Sequence, residues 1–319
     1  MAGDDMAAPS VGAGNPHRTL EAASPRYGEK VIKVLLALCG ALSVAVTTGI
    51  VVSLLFPTIR FFREISIGEF LTGTLWAPAL VPRSFGVLPI VVGTLMIVFY
   101  ALLVAIPVGL ASAIFLSEYA PSRIRKIVKP ALEVLAGIPT VAVGLFALWY
   151  LRPLGETIFP FLTWGPRQTV IVAGVAVGLM IVPIVASISE DAMRAVPGGL
   201  REGAYALGAG KLKVSTRVVF PAAISGIVAS IVLATSRAIG ETMVVLIAAG
   251  AGRPDLTFDP FAPAQTITAY IGGAATGDIP TGTILYDTIF AAGALLFLMT
   301  LAMNMVAIRL VRRFREVYE

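Results

Sequence analysis

Six stretches of this chain, residues 34–56, 86–116, 134–151, 168–189, 221–249 and 288–308, are apolar over the length a helix needs to cross a bilayer. That length is about 20 residues, and such a run constrains the fold more than any motif, because in hydrocarbon the backbone must satisfy its own hydrogen bonds. The expectation is an all-α polytopic membrane protein with about six transmembrane helices. Composition agrees: 57% of residues are hydrophobic, 13% are charged and the mean hydropathy is +0.89. A soluble domain carries about a quarter charged residues. The second stretch is long for one crossing but short for two plus a turn, so one tilted helix, kinked near Pro107, is expected there.

Five of the six stretches contain no Asp, Glu, Lys or Arg; the fifth contains Arg237 and Glu241, within "SRAIGETM". If that stretch is one helix entered at Pro221, Arg237 lies about 24 Å along it at 1.5 Å per residue, near or beyond the bilayer middle. A lone charge there costs at least about 2.5–3.5 kcal/mol on insertion scales. Glu241 stands at i+4, on the same helical face, where it neutralises the arginine. Gly226, Ser230, Ala234 and Gly240 form a stripe of small residues that permits close helix approach or leaves room for a small solute. Two readings follow for the pair: a salt bridge that fixes helix packing, or a guarded cation that an oxyanion meets on its way across.

Of the 24 Lys and Arg, 17 fall in the N-terminal tail, the second and fourth connections and the C-terminus, against six in the other three connections. Because cytoplasmic loops are enriched in Lys and Arg, both termini are expected in the cytoplasm. In a membrane chain this surplus explains the basic pI without nucleic acid. Residues 1–30, rich in Ala, Gly, Pro and charge, read as a disordered cytoplasmic tail; 31–312 read as the transmembrane body and 313–319 as a cytoplasmic C-terminus. The first apolar run is longer than a signal-peptide core and reads as a retained anchor. One cysteine, Cys39, excludes an intrachain disulfide, and one histidine, His17, leaves no basis for a transition-metal site or a nucleophile–base–acid set.

Two outer connections carry weaker signals. "TIRFFREISIGEFLTGTLW" reads as an amphipathic patch along the membrane face, with Trp76 at headgroup depth. "AGRPDLTFDPFAPAQ" is loop-like and suits contact with an external partner. Glu133 and Asp287 stand at helix entries, Glu133 on the cytoplasmic side and Asp287 on the outer side. Both are expected to remain wet and are weaker candidates for lining a pathway.

The fourth connection, 190–220, is the longest on the cytoplasmic side. Within it "PGGLREGAYALGAG" predicts a short helix from about Leu200 to Leu207, closed by Gly208 and Gly210. Such a helix needs a docking surface to be stable. A phosphate-cradling loop is excluded, since Gly210-Lys211 is followed by Leu212 and Tyr205 occupies the first glycine's place.

This connection resembles the "EAA" signature of ABC importer permeases: E-A-A, three residues, Gly, nine residues, I-x-L-P. Here the slots are Glu202-Gly203-Ala204, Gly208 and Val218-Val219-Phe220-Pro221, with spacing intact and three consensus letters changed for residues of like character. "GVLPIVVGTLMI", "EVLAGIPTVAVGLFAL" and "SRAIGETM" are similar to phosphate importer permeases of the PstC type, and with the EAA loop the resemblance covers most of 75–310. It implies a type I, MetI-like permease fold in the cytoplasmic membrane of a prokaryote. It also implies that Glu202, Gly203, Ala204 and Gly208 couple to a cytoplasmic ATPase, and that Arg237 and Glu241 serve phosphate passage. Implied partners are a PstA-like permease in a heterodimer, two ATPase subunits holding ATP and Mg, and an external phosphate-binding protein; this chain itself would hold no cofactor. Sulfate and molybdate permeases share the EAA loop and topology, and the PstA-type subunit is similar too. A secondary transporter would need no ATPase but gives no reason for the EAA spacing; a membrane scaffold gives none for the guarded arginine.

Overall fold

The computed structural model describes residues 27–250 and 255–313. The expectations for the tail before residue 27, with His17, for Arg253 and for 314–319 lie outside the described residues. The chain divides into two compact units, Met1–Val52 and Ser53–Glu319. The first, described from Tyr27, is helical: α1 (Tyr27–Glu64) begins there and exposes Val31, Leu35, Leu38 and Leu42, as suits side chains in lipid.

In the second unit the rest of α1 leads to α2 (Ile67–Thr72) and a two-residue antiparallel pair, β1 (Trp76–Ala77) with β2 (Ser84–Phe85). Then α3 (Leu88–Ile114) runs on into a π-helical turn, Phe115–Tyr119, and α4 (Ser122–Ala136) follows. The third stretch contains α5 (Thr140–Phe146), a π turn at Ala147–Leu151 and α6 (Arg152–Ile158); α7 (Val170–Arg194) is unbroken. The loop helices are α8 (Gly198–Ala206) and α9 (Lys211–Val214), and a π turn at Ser215–Val219 passes into α10 (Phe220–Ala222). The chain finishes with α11 (Ile224–Ile239), α12 (Met243–Ala248), α13 (Ile267–Ala275) and α14 (Ile284–Arg313).

Among the described residues, four helical segments are long and apolar enough to span a membrane: Glu29–Glu64, Leu88–Tyr119, Val170–Arg194 and Ile284–Arg309. Counting each of two bent pairs as one broken span brings the number to six: Ser122–Ala136 with Thr140–Ile158 at 92° and Lys211–Ala222 with Ile224–Ile239 at 72°. The third and fifth stretches are therefore not the single rods the sequence suggests. Gly137 closes α4 and Pro139, in extended conformation, opens α5, so the third stretch turns at its start. The fifth bends at Ala223, just after Pro221 enters α10. α4 carries Arg123, Arg125, Lys126 and Lys129 and buries none of its residues.

The core is built on α3 and α7. In lipid, helices gain little from hydrophobic burial against each other and associate by close packing of small residues. Accordingly, a Cβ added at Gly174 would lie 2.5 Å from Tyr100 Cβ, at Gly178 2.8 Å from the Ala101 oxygen, and at Gly109 2.7 Å from Val185 Cβ. Gly178→Val is expected to force this pair apart at a cost of about 1–3 kcal/mol, the range for overpacking. Unfolding in detergent measures this, and stability equal to the parent protein would contradict it.

At the opposite end of α3 from its π turn, Phe61, Phe70, Trp76, Phe85 and Tyr270 form a buried aromatic cluster. Trp76 meets Tyr270 edge-on at 4.9 Å between centroids, and Phe61 meets Phe70 and Phe85 at 5.5 Å. The aromatic side of the patch expected along the membrane face is therefore core, Trp76 included, while Ile67, Leu71 and Leu75 stay exposed. The cause is that α1 continues to Glu64 and α13 folds back from a remote part of the chain. Gly73 and Gly86 let the turn close, since a Cβ on Gly73 would lie 2.5 Å from Gly86 Cα. Beside the cluster, Arg60 Nη2 donates to Asp287 Oδ1 at 2.9 Å. Asp287 is buried, not wet as expected, because this ion pair compensates it.

Candidate translocation site

The last turn of α11 carries Arg237, and the helix stops there instead of continuing through the apolar stretch. Gly240, Glu241 and Thr242 form a break before α12 begins at Met243. The expectation of one continuous helix is corrected at this point, and Glu241 explains how a break survives in a dry setting. Its Oε2 accepts from Arg237 Nη1 at 2.8 Å, while Oε1 accepts from the Val244 N–H at 3.2 Å, in the first turn of α12. One carboxylate thus balances the guanidinium and satisfies a backbone donor that the interruption leaves without a helical partner.

The break is tied to two other elements. Thr268 Oγ1 of α13 donates to the Glu241 carbonyl at 2.7 Å and lies 3.0 Å from Thr266 Oγ1. The Ile267 N–H donates to Thr94 Oγ1 of α3 at 3.1 Å. Thr94, Thr266 and Thr268 are all buried, so these bonds satisfy irregular backbone from within the protein, as an intramembrane break requires.

The two charges differ in setting. Glu241 is 2% exposed, whereas the Arg237 side chain is 44% exposed. A guanidinium has five N–H donors in a planar fork; Glu241 engages one of them here. The small-residue stripe resolves in favour of packing. A Cβ on Gly226 would meet Ala192 Cβ of α7 at 2.4 Å, and Ser230 is buried with its hydroxyl 2.8 Å from that of Ser189. Ala234 is buried as well, and Gly240 is exposed at the break.

Of the weaker candidates, Glu133 is exposed on α4 and Asp287 pairs with Arg60, so neither joins the Arg237–Glu241 pair. Other ionic contacts among the described residues went unread in the sequence, two of them deep in the body. Lys129 of α4 donates to fully buried Glu190 of α7 at 2.7 Å and also to Asp191. Buried Arg152 donates to Glu156 and to the Gly165 carbonyl, both at 2.8 Å, with its guanidinium 4.8 Å from the Trp164 ring centroid. Lys129 and Arg152 counted only as loop charges in the sequence; their partners are remote or lie across a turn.

The loop helix α8 spans Gly198–Ala206, close to the predicted 200–207. Its end is closed by Gly208 at φ +80°, with the Gly208 N–H donating to the Tyr205 carbonyl at 2.9 Å and the Ala209 N–H to the Ala204 carbonyl at 3.1 Å. This left-handed closure favours glycine because a Cβ there clashes with the backbone. Ala204 is half-buried against the body, while Glu202, Gly203 and Gly208 face outward, beside a Leu207 that is 90% exposed. An exposed leucine thus stands next to small residues and a carboxylate on a face of α8 that the rest of the described chain leaves uncovered.

Comparison with known proteins places these features in context. The family model described as "Binding-protein-dependent transport system inner membrane component" matches residues 105–316. The probable ABC transporter permease protein YqgH of Bacillus subtilis (strain 168) is 33% identical over 270 residues, 84% of this chain and 86% of that one. The phosphate transport system permease protein PstC of Mesorhizobium japonicum is 34% identical over 248 residues, 73% of this chain and 74% of its own. Among solved structures, a chain of a bacterial alginate ABC transporter, in complex with an alginate-bound periplasmic protein, superposes with a TM-score of 0.61. It covers 92% of this chain and 100% of that one at 17% identity, a likeness of fold.

Proposed function

The chain belongs to the binding-protein-dependent transport system inner membrane components, and on that premise we propose that it is the permease subunit of an ATP-driven importer of inorganic phosphate. The observation that carries this reading is the Arg237–Glu241 pair: a half-exposed guanidinium with donors to spare, beside a buried carboxylate, at the interruption of a membrane helix. Phosphate is recognised well by such a fork, whose geometry matches two oxygens at once. With no anion present Glu241 neutralises the arginine; an arriving phosphate takes the free donors. The name of the Mesorhizobium relative, a phosphate transport permease, supports the choice of substrate.

The remaining parts follow from the same reading. Both termini lie in the cytoplasm, as the Lys and Arg distribution favours, which puts α8 on the cytoplasmic side. There Glu202, Gly203, Ala204 and Gly208 meet an ATPase subunit, with Leu207 entering its surface. ATP and Mg are held by a pair of ATPase subunits, so this chain contributes pathway and coupling, not hydrolysis. A PstA-like permease completes the pathway, and an external phosphate-binding protein delivers the ion. The test is uptake into proteoliposomes containing the complete importer. Phosphate entry should require ATP and yield to unlabelled phosphate but not to excess sulfate or molybdate. Dominant competition by sulfate or molybdate would transfer the assignment to those anions, and uptake without ATP would make the protein a secondary transporter.

A further inference from the structure

We propose that Arg201 and Glu118 form a clamp that carries movement of the cytoplasmic loop into α3, a helix remote from that loop in sequence; the inference rests on the coupling role given to α8 above. Arg201 lies on α8 but points into the body. Its Nη1 donates to the Val196 carbonyl at 2.7 Å, and its Nη2 donates to the Met193 carbonyl at 2.7 Å and to Glu118 Oε1 at 3.1 Å. Met193 is in the last turn of α7 and Val196 lies just beyond it, at the end of the helix where the dipole favours a cation. The third oxygen belongs to the π turn that ends α3. One guanidinium therefore joins α8, α7 and α3.

Two further observations make this a built contact. The Glu118 side chain is 6% exposed, so an arginine is needed to compensate a nearly buried carboxylate, and Ser117 adds a second donor at 2.9 Å. The next residue of the same turn, Tyr119, receives Lys211 Nζ at 4.9 Å from its ring centroid. Lys211 begins α9, beyond Gly208, so the turn is gripped from both sides of the loop's glycine closure. A π-helical turn is a rare interruption of α-helical bonding that recurs at functional positions. Here it closes with the Ala120 N–H donating to the Phe115 carbonyl at 2.7 Å.

What α3 carries at its other end gives the clamp its consequence. Thr94 accepts from Ile267 beside Thr268, which in turn bonds the Glu241 carbonyl. Displacement of α8 is thus handed to α3 through Arg201 and arrives at the break that holds the Arg237–Glu241 pair. Without the clamp, α8 would reach α3 only through apolar packing, at its own contacts with the end of α3 and through α7, and no directional ionic bond would fix the loop to the π turn.

The test uses the complete importer in proteoliposomes and reads the ratio of anion transported to ATP hydrolysed, together with recovery of ATPase subunits on purification. In Arg201→Gln and in the near-isosteric Glu118→Gln, the ratio is expected to fall about tenfold, the scale of one charge-assisted hydrogen bond, with ATPase recovery unchanged. Arg201→Lys, which keeps charge but cannot fork among three oxygens, should recover part of the loss. An unchanged ratio in Glu118→Gln would overturn the clamp. Loss of the ATPase subunits from Arg201→Gln would also overturn it, by making Arg201 a docking residue. Failure of the unmodified importer to transport phosphate would count against the proposed function instead, and is read from the control alone.

Discussion

Arg237→Gln is expected to abolish most phosphate uptake while leaving the protein in the membrane at its normal level. The substitution removes a fork of donors and leaves Glu241 as a buried carboxylate, 2% exposed, with its compensating charge gone. An incoming anion then loses a charge-assisted hydrogen bond, about 1.5–3 kcal/mol or roughly ten- to hundredfold in rate, and meets a like charge in addition. Radiolabelled phosphate uptake in vesicles, normalised to permease content, is the measurement; normal uptake would remove Arg237 from the pathway. The companion Glu241→Gln retains an oxygen for the Val244 N–H and so keeps the start of α12. It is expected to disturb uptake with assembly intact, and disappearance of the protein from the membrane would instead make the pair a packing device.

The second large effect is expected at the loop. Gly208 adopts φ +80° with nothing within 4 Å of where a Cβ would stand. A β-branched residue there meets its own backbone and no neighbour, so Gly208→Val opposes the closure of α8 without disturbing the membrane body. Left-handed backbone costs an L-residue about 1–2 kcal/mol, and a β-branched one at the upper end, so the loop should leave its closed form by about tenfold or more. Recovery of ATPase subunits with the purified permease should fall accordingly, and uptake with it. Full recovery and full uptake in this variant would show that the closed α8 is not the surface the ATPase reads.

Much of this architecture was legible because the bilayer imposes a simple length rule. The apolar stretches, the short loop helix with its closing glycine, and the meeting of Arg237 with Glu241 all follow from spacing along the chain. What stayed hidden depends on partners far apart in sequence. Trp76 and the phenylalanines beside it look amphipathic until Tyr270 arrives to cover them. Asp287 looks wet until Arg60, 227 residues away, is placed against it. Glu190 ends an apolar run and seems to mark its boundary, yet Lys129 allows it to be fully buried.

The breaks were obscured for another reason. Glycine and proline are tolerated in membrane helices, so neither Pro139 nor Gly240 announced where a helix would turn or stop. The interruption at Glu241 becomes intelligible only when its carboxylate is seen to serve Arg237 and Val244 together. Arg201 was one positive charge among several in the loop, and nothing in its neighbours told that it points inward to Glu118.

The central claim is that phosphate passes beside Arg237. The most direct measurement is a structure of the assembled importer, arrested with a non-hydrolysable nucleotide analogue and supplied with phosphate and its external binding protein. The account predicts phosphate within hydrogen-bond distance of the Arg237 guanidinium, with Glu241 still bonded to Val244. Phosphate held elsewhere, with that guanidinium turned to lipid or sealed against a neighbouring helix, would contradict it.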